Sequence, residues 1–427
     1  MIVVFFKNNV DYVLTLLKHN DNSCGLWYSP GLNSYTDLAS IISISKIYIE
    51  EDLVESFNTD HPDFLSQFQY ETFAAKAVTV TDRKVCFFVS NDTHIFLFQN
   101  LLKKQTLPWD LYSRKGENAK GAGEKIGLIT KDFELSIPNV TEYNLLVCGN
   151  DWGPLEQRVN LDFMKNDINT ICIQESVIDF NKRDKRMLYC CLPIYQGVVT
   201  LKNVPLSGKV CAVIGNPRYE ELKPFPIPEK LSVFVNVNFT YGIYEDARDN
   251  WVGDIVSSCA ELNIDYAICQ HPRDRGDFSK FNLIKTNAST VHDSLKQSTI
   301  LITRFSSLIH EALCLGRPVI YYNPHGEKLF YDFEPDNKCL FYATTKDDLL
   351  KALSSLSSHF VQDELNNSIK TYLSRHLGVT RSGKASDYIN ELIGDATYYP
   401  IIVKPTFYML FISKLKRLKR ILLRQKM

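Results

Sequence analysis

Residues 300–324 read ILITRFSSLIHEALCLGRPVIYYNP, and this stretch decides the fold. The apolar run Ile300–Thr303 predicts a buried strand, a short helix follows, and Pro318–Tyr322 predicts a second strand. A strand, a helix and a strand in this order predict a parallel sheet. The pair Ser306 and Ser307 falls where the helix begins. It predicts an anion site, because the first turn of a helix has unpaired N–H groups and a partial positive charge.

The same alternation runs along most of the chain. Eight further apolar runs predict strands: Ile2–Phe6, Lys46–Ile49, Val85–Val89, Leu145–Val147, Ile171–Ile173, Val210–Ile214, Val233–Val237 and Tyr266–Ile268. At 427 residues the chain is too long for one ordinary core. The stretch YEELKPFPIPEK at 219–230 holds three prolines and predicts a linker. We therefore expect an α/β protein with parallel sheets in two Rossmann-type domains, 1–218 and 231–396, which face each other across a cleft.

Composition excludes some classes of protein. The formal net charge of −1 argues against a general nucleic-acid binder, which has a strong basic excess. Eleven cysteines without a C-x-x-C pair favour free thiols in the cytoplasm. The start of the chain lacks a secretory pattern, and no run of about 18 apolar residues predicts a spanning helix.

The last segment, 397–427, differs from the rest. Lys414 to Met427 includes seven basic residues, and no acidic residue follows Asp395. At helical spacing Phe411, Leu415, Leu418 and Leu422 share one stripe, and Lys416, Arg417, Arg420 and Arg424 lie opposite. This pattern predicts an amphipathic helix on an anionic membrane surface, at the inner face of the cell membrane. A helix that packs on the protein or binds a partner is the alternative.

Several residues at predicted strand ends are candidates for chemistry. His271, fixed by Pro272, ends an apolar strand, where it would donate to a phosphate oxygen or protonate a leaving group; a structural histidine is the alternative. Glu311 lies four residues after Ser307, on the same helix face, and suits a diol such as a ribose. Its alternative is a solvent-facing residue behind a plain N-cap. Gly215, Asn216 and Arg218 form a strand-end turn that shapes a cleft floor, or simply a turn.

Glu175, beside Gln174 at a strand end, is the first candidate for a general acid or base. Asp179, Asp246 and Asp249 are alternatives to Glu175 as the catalytic carboxylate. Any of them is also a candidate for the second carboxylate that a double-displacement sugar transfer requires. The glycines of 120–127 lack a preceding strand, so we interpret them as a loop. No metal-binding motif is present, which favours chemistry without a metal or cofactor.

Four stretches carry a family resemblance: GNPRYE at 215–220, FVNVNFTYG at 234–242, QHPRD at 270–274 and ITRFSSLIHEALCLGRPVIYY at 302–322. They resemble the C-terminal half of bacterial surface-carbohydrate glycosyltransferases of the two-domain GT-B type, over roughly residues 140–350. The His-Pro and Ser-Ser elements are similar to those of enzymes that use CMP-linked sialic acid or Kdo. Polymerases of wall teichoic acid carry related elements, but show an acidic residue where this chain has Arg304. The sialyltransferases show an acidic pair and a glycine where this chain has Gln174-Glu175-Ser176.

The resemblance implies a GT-B-like fold with the nucleotide in domain 231–396 and the acceptor on the side of domain 1–218. His271 and the serine pair would hold the cytidine phosphate, Glu311 the ribose, and Glu175 would reach the reacting sugar. We assign nine residues to the nucleotide site: Gly215, Asn216, Arg218, His271, Pro272, Thr303, Ser306, Ser307 and Glu311. We assign catalysis to Glu175, Asp246, Asp249 and His271.

The leading hypothesis is a glycosyltransferase that moves an acidic sugar, Kdo or sialic acid, from its CMP ester. The acceptor would be a surface polysaccharide or a lipid-linked glycan. One alternative is transfer of a polyol phosphate from CDP-glycerol or CDP-ribitol. Another is a non-catalytic protein that binds a glycan or a nucleotide.

Overall fold

The computed structural model describes residues 1–78, 83–89, 92–113, 131–132, 138–177, 186–240, 242–271, 273–284, 290–328, 330–358, 362–378 and 385–424. The chain forms two compact units. The first unit contains Met1–Glu220 and Arg375–Met427, and the second contains Glu221–Ser374.

The first unit is built on a parallel sheet with eleven strands among the described residues, in the order β4-β3-β1-β2-β11-β10-β9-β8-β5-β6-β7. The strands are β1 (Ile2–Phe6), β2 (Ser23–Trp27), β3 (Lys46–Glu50), β4 (Tyr70–Phe73), β5 (Val85–Val89), β6 (Trp109–Ser113), β7 (Lys131–Asp132), β8 (Leu145–Cys148), β9 (Asn169–Ile173), β10 (Leu192–Tyr195) and β11 (Lys209–Val213). Its central strands are buried along their whole length, as expected for a parallel sheet with both faces covered.

Five helices connect these strands: α1 (Val10–His19), α2 (Leu38–Ile41), α3 (Val54–Asp60), α4 (Asp92–Lys104) and α5 (Pro154–Lys165). Short 3-10 helices lie at Glu51–Leu53, Leu65–Gln67, Val140–Glu142, Val198–Asn203 and Pro217–Tyr219. Helix α1 shows why such segments are helical: the side chain of Asn9 caps the N–H of Tyr12, and Val10, Val13 and Leu17 form one buried stripe.

The second unit has six parallel strands in the order β14-β13-β12-β15-β16-β17. They are β12 (Ser232–Val237), β13 (Asp265–Gln270), β14 (Leu283–Ile284), β15 (Ile300–Thr303), β16 (Val319–Tyr322) and β17 (Leu340–Ala343). The helices are α6 (Arg248–Glu261), α7 (Val291–Lys296), α8 (Leu308–Cys314), α9 (Lys346–Ser358) and α10 (Gln362–Leu377), with a 3-10 helix at Glu245–Ala247. The last residues of α10, from Arg375 on, belong to the first unit.

Successive side chains along each strand of the second unit point to opposite faces of the sheet. Val235, Ile302 and Ile320 are neighbours in the register and belong to one core cluster, together with Trp251 of α6 and Leu353 of α9. The intervening residues point to the opposite face of the sheet. Their side chains therefore lie on the face away from α6 and α9.

Two more helices, α11 (Ala385–Ala396) and α12 (Phe407–Arg424), follow the second unit in sequence but belong to the first. Ile389, Leu392 and Ile393 of α11 are fully buried in the same core cluster as Trp27 of β2. The predicted boundary at residue 396 is therefore wrong, because the apolar stripe of α11 completes the core of the first unit. α12 confirms the helix predicted in the tail.

The predicted linker at 219–230 is divided between the units. Glu220 accepts hydrogen bonds from the backbone N–H (3.0 Å) and the hydroxyl (2.8 Å) of Ser386 in the first unit. In the second unit the buried guanidinium of Arg317 donates to the carbonyls of Phe225 (2.7 Å) and Pro226 (2.8 Å). The prolines therefore lie against the second unit and are held there.

No helix in the described part of the chain is long and apolar enough to cross a bilayer. All eleven cysteines are buried free thiols.

Candidate functional site

Three strands of the second unit bring candidate residues to one edge of the sheet. β13 leads to His271, β12 to Asn238 and β15 to Ser306. The N–H of His271 donates to the carbonyl of Val237 (2.8 Å), and the side-chain amide of Asn238 donates to the carbonyl of Phe305 (2.9 Å). Neighbouring strands lie about 4.8 Å apart, so the carboxyl ends of β13 and β15, which flank β12, are about 10 Å apart. A single phosphorylated ligand can span this distance.

Burial favours the neutral form of the His271 imidazole, and a backbone hydrogen bond selects its tautomer. Burial lowers its pKa below 6.5, against the opposing charge of Asp274. The N–H of Arg273 donates to Nδ1 of His271 (3.1 Å). The neutral ring therefore carries its proton on Nε2, where it is a hydrogen-bond donor. Pro272, which the sequence placed in the site, lies outside the described residues.

The turn that carries His271 is fixed by Asp274. This buried carboxylate accepts from the N–H groups of Phe239 (2.8 Å) and Gly276 (2.8 Å) and pairs with Arg248 (3.1 Å). A Cβ at Gly276 would lie 2.6 Å from Cδ of Arg248, so any larger residue here would require the Arg248 side chain to shift. The bonds to Asp274 join the ends of β12 and β13.

Ser306 and Ser307 lie half-buried before α8, where the sequence predicted them. Ser307 occupies the N-cap position but makes no side-chain capping bond. The hydroxyl of Ser306 accepts from the N–H of Leu308 (3.2 Å), and its own proton remains available to a ligand.

Glu311 is buried, with 4% of its surface exposed, and its carboxylate lies 2.6 Å from Nε2 of His292 on α7. The solvent-facing alternative for Glu311 is therefore wrong. A buried carboxylate held by an imidazole has a defined position, as the recognition of a diol requires.

Thr303 lies beneath this edge and is fully buried. Its hydroxyl accepts from the side chain of Asn236 (2.9 Å) and donates to the carbonyl of Arg304 (2.8 Å). The structure therefore gives Thr303 a supporting position, and we correct its assignment as a ligand contact.

Arg304 is also buried, and it connects two loops at the same edge. Its guanidinium pairs with both carboxylate oxygens of Glu327 and donates to the carbonyls of Asn238 (3.3 Å) and Ile243 (3.4 Å). This arrangement explains a basic residue at position 304, because its acidic partner comes from the loop after β16.

Four of the predicted residues, Glu175, Gly215, Asn216 and Arg218, belong to the first unit, at the carboxyl ends of β9 and β11. Asn216 is fully buried, and its amide donates to the carbonyls of Gln174 (2.9 Å) and Glu175 (3.1 Å). The assignment of Asn216 to a nucleotide contact is corrected: Asn216 holds two strand ends together. Gly215 has φ +123°, a conformation that other residues rarely adopt. Glu175 and Arg218 are half-buried.

The remaining carboxylate candidates differ in exposure and in place. Asp246 lies in the 3-10 helix before α6 and Asp249 in the first turn of α6, and both are exposed in the second unit. Asp179 and the glycine-containing loop 120–127 lie outside the described residues. Within the described ranges, no group of three or more His, Cys, Asp and Glu side chains could hold a metal ion.

Sequence reasoning did not single out two polar residues near this edge of the sheet, Asn238 and His325. Oδ1 of Asn238 is buried and has no hydrogen-bond partner in the described part of the chain. The ring of His325 lies 5.7 Å from that of Phe239 and 4.8 Å from that of Tyr244, and its pKa is lowered by burial. The signal available for Asn238 was its place just after a predicted strand. His325 sits in a loop and gave none.

Comparison with known proteins identifies a fold. No protein-family model matches the chain, and no curated protein matches it. The S. aureus MnaA–UDP structure is similar with a TM-score of 0.52 at 14% identity, over 72% of this chain and 95% of that chain. UDP-GlcNAc 2-epimerase from Neisseria meningitidis, bound to UDP-GlcNAc, has a TM-score of 0.54 at 13% identity, over 73% and 99%. The wall teichoic acid polymerase TagF has a TM-score of 0.49 at 17% identity, over 74% of this chain and 88% of that chain. The first two likenesses show that this chain has the GT-B fold, with two parallel-sheet α/β units.

Proposed function

We propose that this protein is a glycosyltransferase that moves an acidic sugar, Kdo or sialic acid, from its CMP ester to a surface polysaccharide or lipid-linked glycan. The observation that carries the proposal is the neutral imidazole of His271, with its proton on Nε2, at the same sheet edge as Ser306 and Ser307. Two structures with the same fold, solved with UDP and with UDP-GlcNAc, support a nucleotide-sugar donor.

The chemistry follows from these donors. The acceptor hydroxyl oxygen attacks the anomeric carbon, the bond from that carbon to the phosphate oxygen breaks, and CMP departs with the electron pair. Nε2–H of His271 and the two serine hydroxyls donate to the phosphate oxygens and stabilise the charge that develops there. These groups are neutral donors of the protein itself, so the proposal includes no metal.

A carboxylate takes the proton of the attacking hydroxyl. Glu175 remains the first candidate for this base, with Asp246 and Asp249 as the others. Glu311, held by His292, would accept hydrogen bonds from the ribose hydroxyls of the nucleotide.

A donor panel tests the proposal. The full chain is incubated with CMP-Kdo, CMP-sialic acid, CDP-glycerol or UDP-GlcNAc, with and without EDTA, and nucleotide release is measured. We expect release from a CMP-sugar, no loss in EDTA, and a strong reduction in His271→Ala but not in His19→Ala. Consumption of CDP-glycerol alone would establish polyol-phosphate transfer. Absence of turnover with every donor would leave a nucleotide- or glycan-binding protein.

We also propose that α12 binds the anionic inner surface of the cell membrane. Met409 packs on Leu161 and Met164 of α5, while Phe407 is 82% and Phe411 48% exposed, with their rings stacked 6.1 Å apart. One side of the helix is thus fixed to the first unit, and an aromatic stripe remains uncovered by the described residues. The basic residues of the sequence after Lys414 supply the charge that anionic lipids attract.

A further inference from the structure

The sheet of the first unit changes direction between two neighbouring strands, β5 and β8. The chain leaves β5 through α4 towards β6, and it leaves β8 through α5 towards β9, on the other side. Phe98 of α4 packs with Phe87 on one face of β5. Phe163 of α5 belongs to the core cluster of Phe88, on the opposite face. In open α/β sheets a ligand binds where two connections diverge in this way, outside the carboxyl ends of the strands.

Another divergence of this kind lies between β1 and β3, but its backbone N–H groups are occupied. The chain leaves β1 towards β2 and leaves β3 towards β4. There the fully buried carboxylate of Glu50 accepts from the N–H groups of Lys7 (2.7 Å) and Asn8 (3.0 Å). The divergence between β5 and β8 is therefore the better place for a ligand in this unit.

Trp152 lies on the β8 side of this divergence. It follows the last residue of β8 by four positions, and 41% of its surface is exposed. The side-chain amide of Gln157, itself buried, donates to the carbonyl of Trp152 (3.0 Å) and fixes the backbone there. The exposed indole offers a flat apolar surface with one N–H donor at its edge.

A neighbouring segment holds the indole ring. The guanidinium of Arg186 lies over the ring, 4.6 Å from its centre, and a cation in this position attracts the ring. The fully buried carboxylate of Asp151 accepts from the N–H groups of Met187 (2.7 Å) and Tyr189 (2.6 Å), which ties the segment of Arg186 to the end of β8. A ring that is already fixed loses little conformational freedom when a ligand stacks on it.

The same edge of the sheet carries the proposed base. β9 runs beside β8, with Cys172 opposite Cys148 in the register. Trp152 and Gln174 both line a cavity of about 10 Å³, which is too small for a sugar but shows that the two strand ends adjoin. Glu175 directly follows Gln174 and is half-buried. A ligand stacked on Trp152 therefore lies beside the strand end that carries Glu175.

We infer that Trp152 is the platform on which a pyranose of the acceptor glycan stacks, and that Arg186 is its positioning residue. The inference rests on the proposed function, because the stacked ring is the sugar whose hydroxyl attacks the donor. The C–H face of a pyranose and an indole face both bury apolar surface when they meet, and the hydroxyls at the ring edge stay available for hydrogen bonds. The platform belongs to the first unit, on the side that the resemblance assigns to the acceptor.

Tryptophan fluorescence tests the inference, because the four tryptophans differ in exposure. Trp27 and Trp251 are fully buried and Trp109 is partly buried, so acrylamide quenches mainly Trp152. The full chain is titrated with the methyl pyranosides of glucose, galactose and N-acetylglucosamine. We expect a saturable loss of quenching with at least one of them, and none with glycerol, which has hydroxyl groups but no ring. The protection should persist in Trp109→Phe and vanish in Trp152→Phe.

Saturation-transfer NMR measures glycoside binding in variants of the same position, which is exposed enough to be replaced without unfolding the protein. Trp152→Ala should weaken the bound glycoside about tenfold, as for the loss of one stacked ring, whereas Trp152→Phe should keep most of the affinity. The Tm and the affinity for CMP should stay unchanged in both variants. Arg186→Ala should also weaken the glycoside, and Arg186→Lys, which keeps a cation beside the ring, should restore part of the affinity.

Equal glycoside binding in the wild type and in Trp152→Ala overturns the inference. A loss of CMP affinity in Trp152→Ala also overturns it, because the indole would then hold the nucleotide base. If CMP binds and none of the three glycosides protects Trp152, the inference fails and the proposed function stands. If a glycoside binds at Trp152 and no CMP-sugar is turned over, the proposed function fails and Trp152 remains a glycan-binding residue.

Discussion

The backbone N–H of Arg273 donates a 3.1 Å hydrogen bond to Nδ1 of His271. This contact within one turn fixes the tautomer, and therefore the atom through which the ring would meet a phosphate. We expect His271→Ala to weaken CMP binding by about 1–3 kcal/mol, as for the loss of a hydrogen bond to a charged group. Calorimetry measures the change, and His19→Ala, an exposed histidine of the first unit, is the control. Unchanged affinity would remove His271 from the site.

The pairing of Glu311 with His292 predicts that the protein recognises the ribose hydroxyls of the nucleotide. If the carboxylate accepts from ribose hydroxyls, the wild-type protein should bind CMP more tightly than 2′,3′-dideoxy-CMP, by about 1–2 kcal/mol. In Glu311→Gln the difference between the two nucleotides should shrink. Glu261→Gln, at the end of α6, should leave it intact. A difference of the same size in all three proteins would show that Glu311 does not contact the sugar.

Asp395 predicts a pH dependence of stability. Burial raises the pKa of this carboxyl from 3.8 to about 7, against the opposing effects of Lys7 and the indole N–H of Trp27. The folded protein therefore binds the proton more tightly than the unfolded chain, so this contribution to stability is complete below pH 4 and is lost as pH rises through 7.

Asp395→Asn should accordingly raise the stability of the first unit at pH 8, by about 1–2 kcal/mol, and much less at pH 5. Thermal unfolding at both pH values measures this, with Asp21→Asn, in an exposed loop, as the control. A gain that is the same at pH 5 and pH 8 would contradict the assignment.

The place of α11 in the first unit is tested by two core substitutions of the same kind. Ile393→Ala should destabilise the first unit by about 2–5 kcal/mol, because it empties a fully buried position. Leu353→Ala, at a fully buried position of α9, should do the same to the second unit alone. Hydrogen exchange assigns the loss to one unit or the other. Loss of protection in the second unit on Ile393→Ala would refute this place for α11.

The exposed stripe of α12 predicts association with lipid. Replacing Phe407, Phe411 and Leu415 by serine should release the protein from vesicles that contain anionic lipid, and high salt should do the same to the wild type. Met409 is kept, so the contact with α5 survives. Tyr70→Ser, an exposed tyrosine of β4, is the control in the sedimentation assay. Undiminished binding of the triple variant would exclude the stripe as the contact.

Strands rich in Val, Ile and Phe were predicted to within two residues at each end, because parallel strands buried on both faces have continuous apolar sequences. β2, with the sequence SCGLW, was missed, since Ser, Cys and Gly give little strand signal although β1 and β11 pair with it on both sides. β10 escaped detection for a similar reason, a proline at its second position.

The candidate site was predicted in part. His271, the serine pair and Glu311 lie at strand ends or in the next helix, so local pattern was enough to single them out. The partners that define their chemistry, His292 for Glu311 and Glu327 for Arg304, are 19 and 23 residues away in sequence. Only the sheet order brings such pairs together. The same holds for α11, whose core partners, such as Trp27, lie far from it in the sequence.

The helix α11 also sets an order of events during synthesis. All eleven described strands of the first unit have been made once residue 213 is reached, but the helix that completes its core is made only after the second unit. The unit that is translated first is therefore completed last. Until α11 has been synthesised, the apolar surface that α11 covers in the folded protein stays exposed on the ribosome. We expect a fragment ending at residue 220 to aggregate when expressed, and the continuous segment 221–374, which has its own core, to fold on its own.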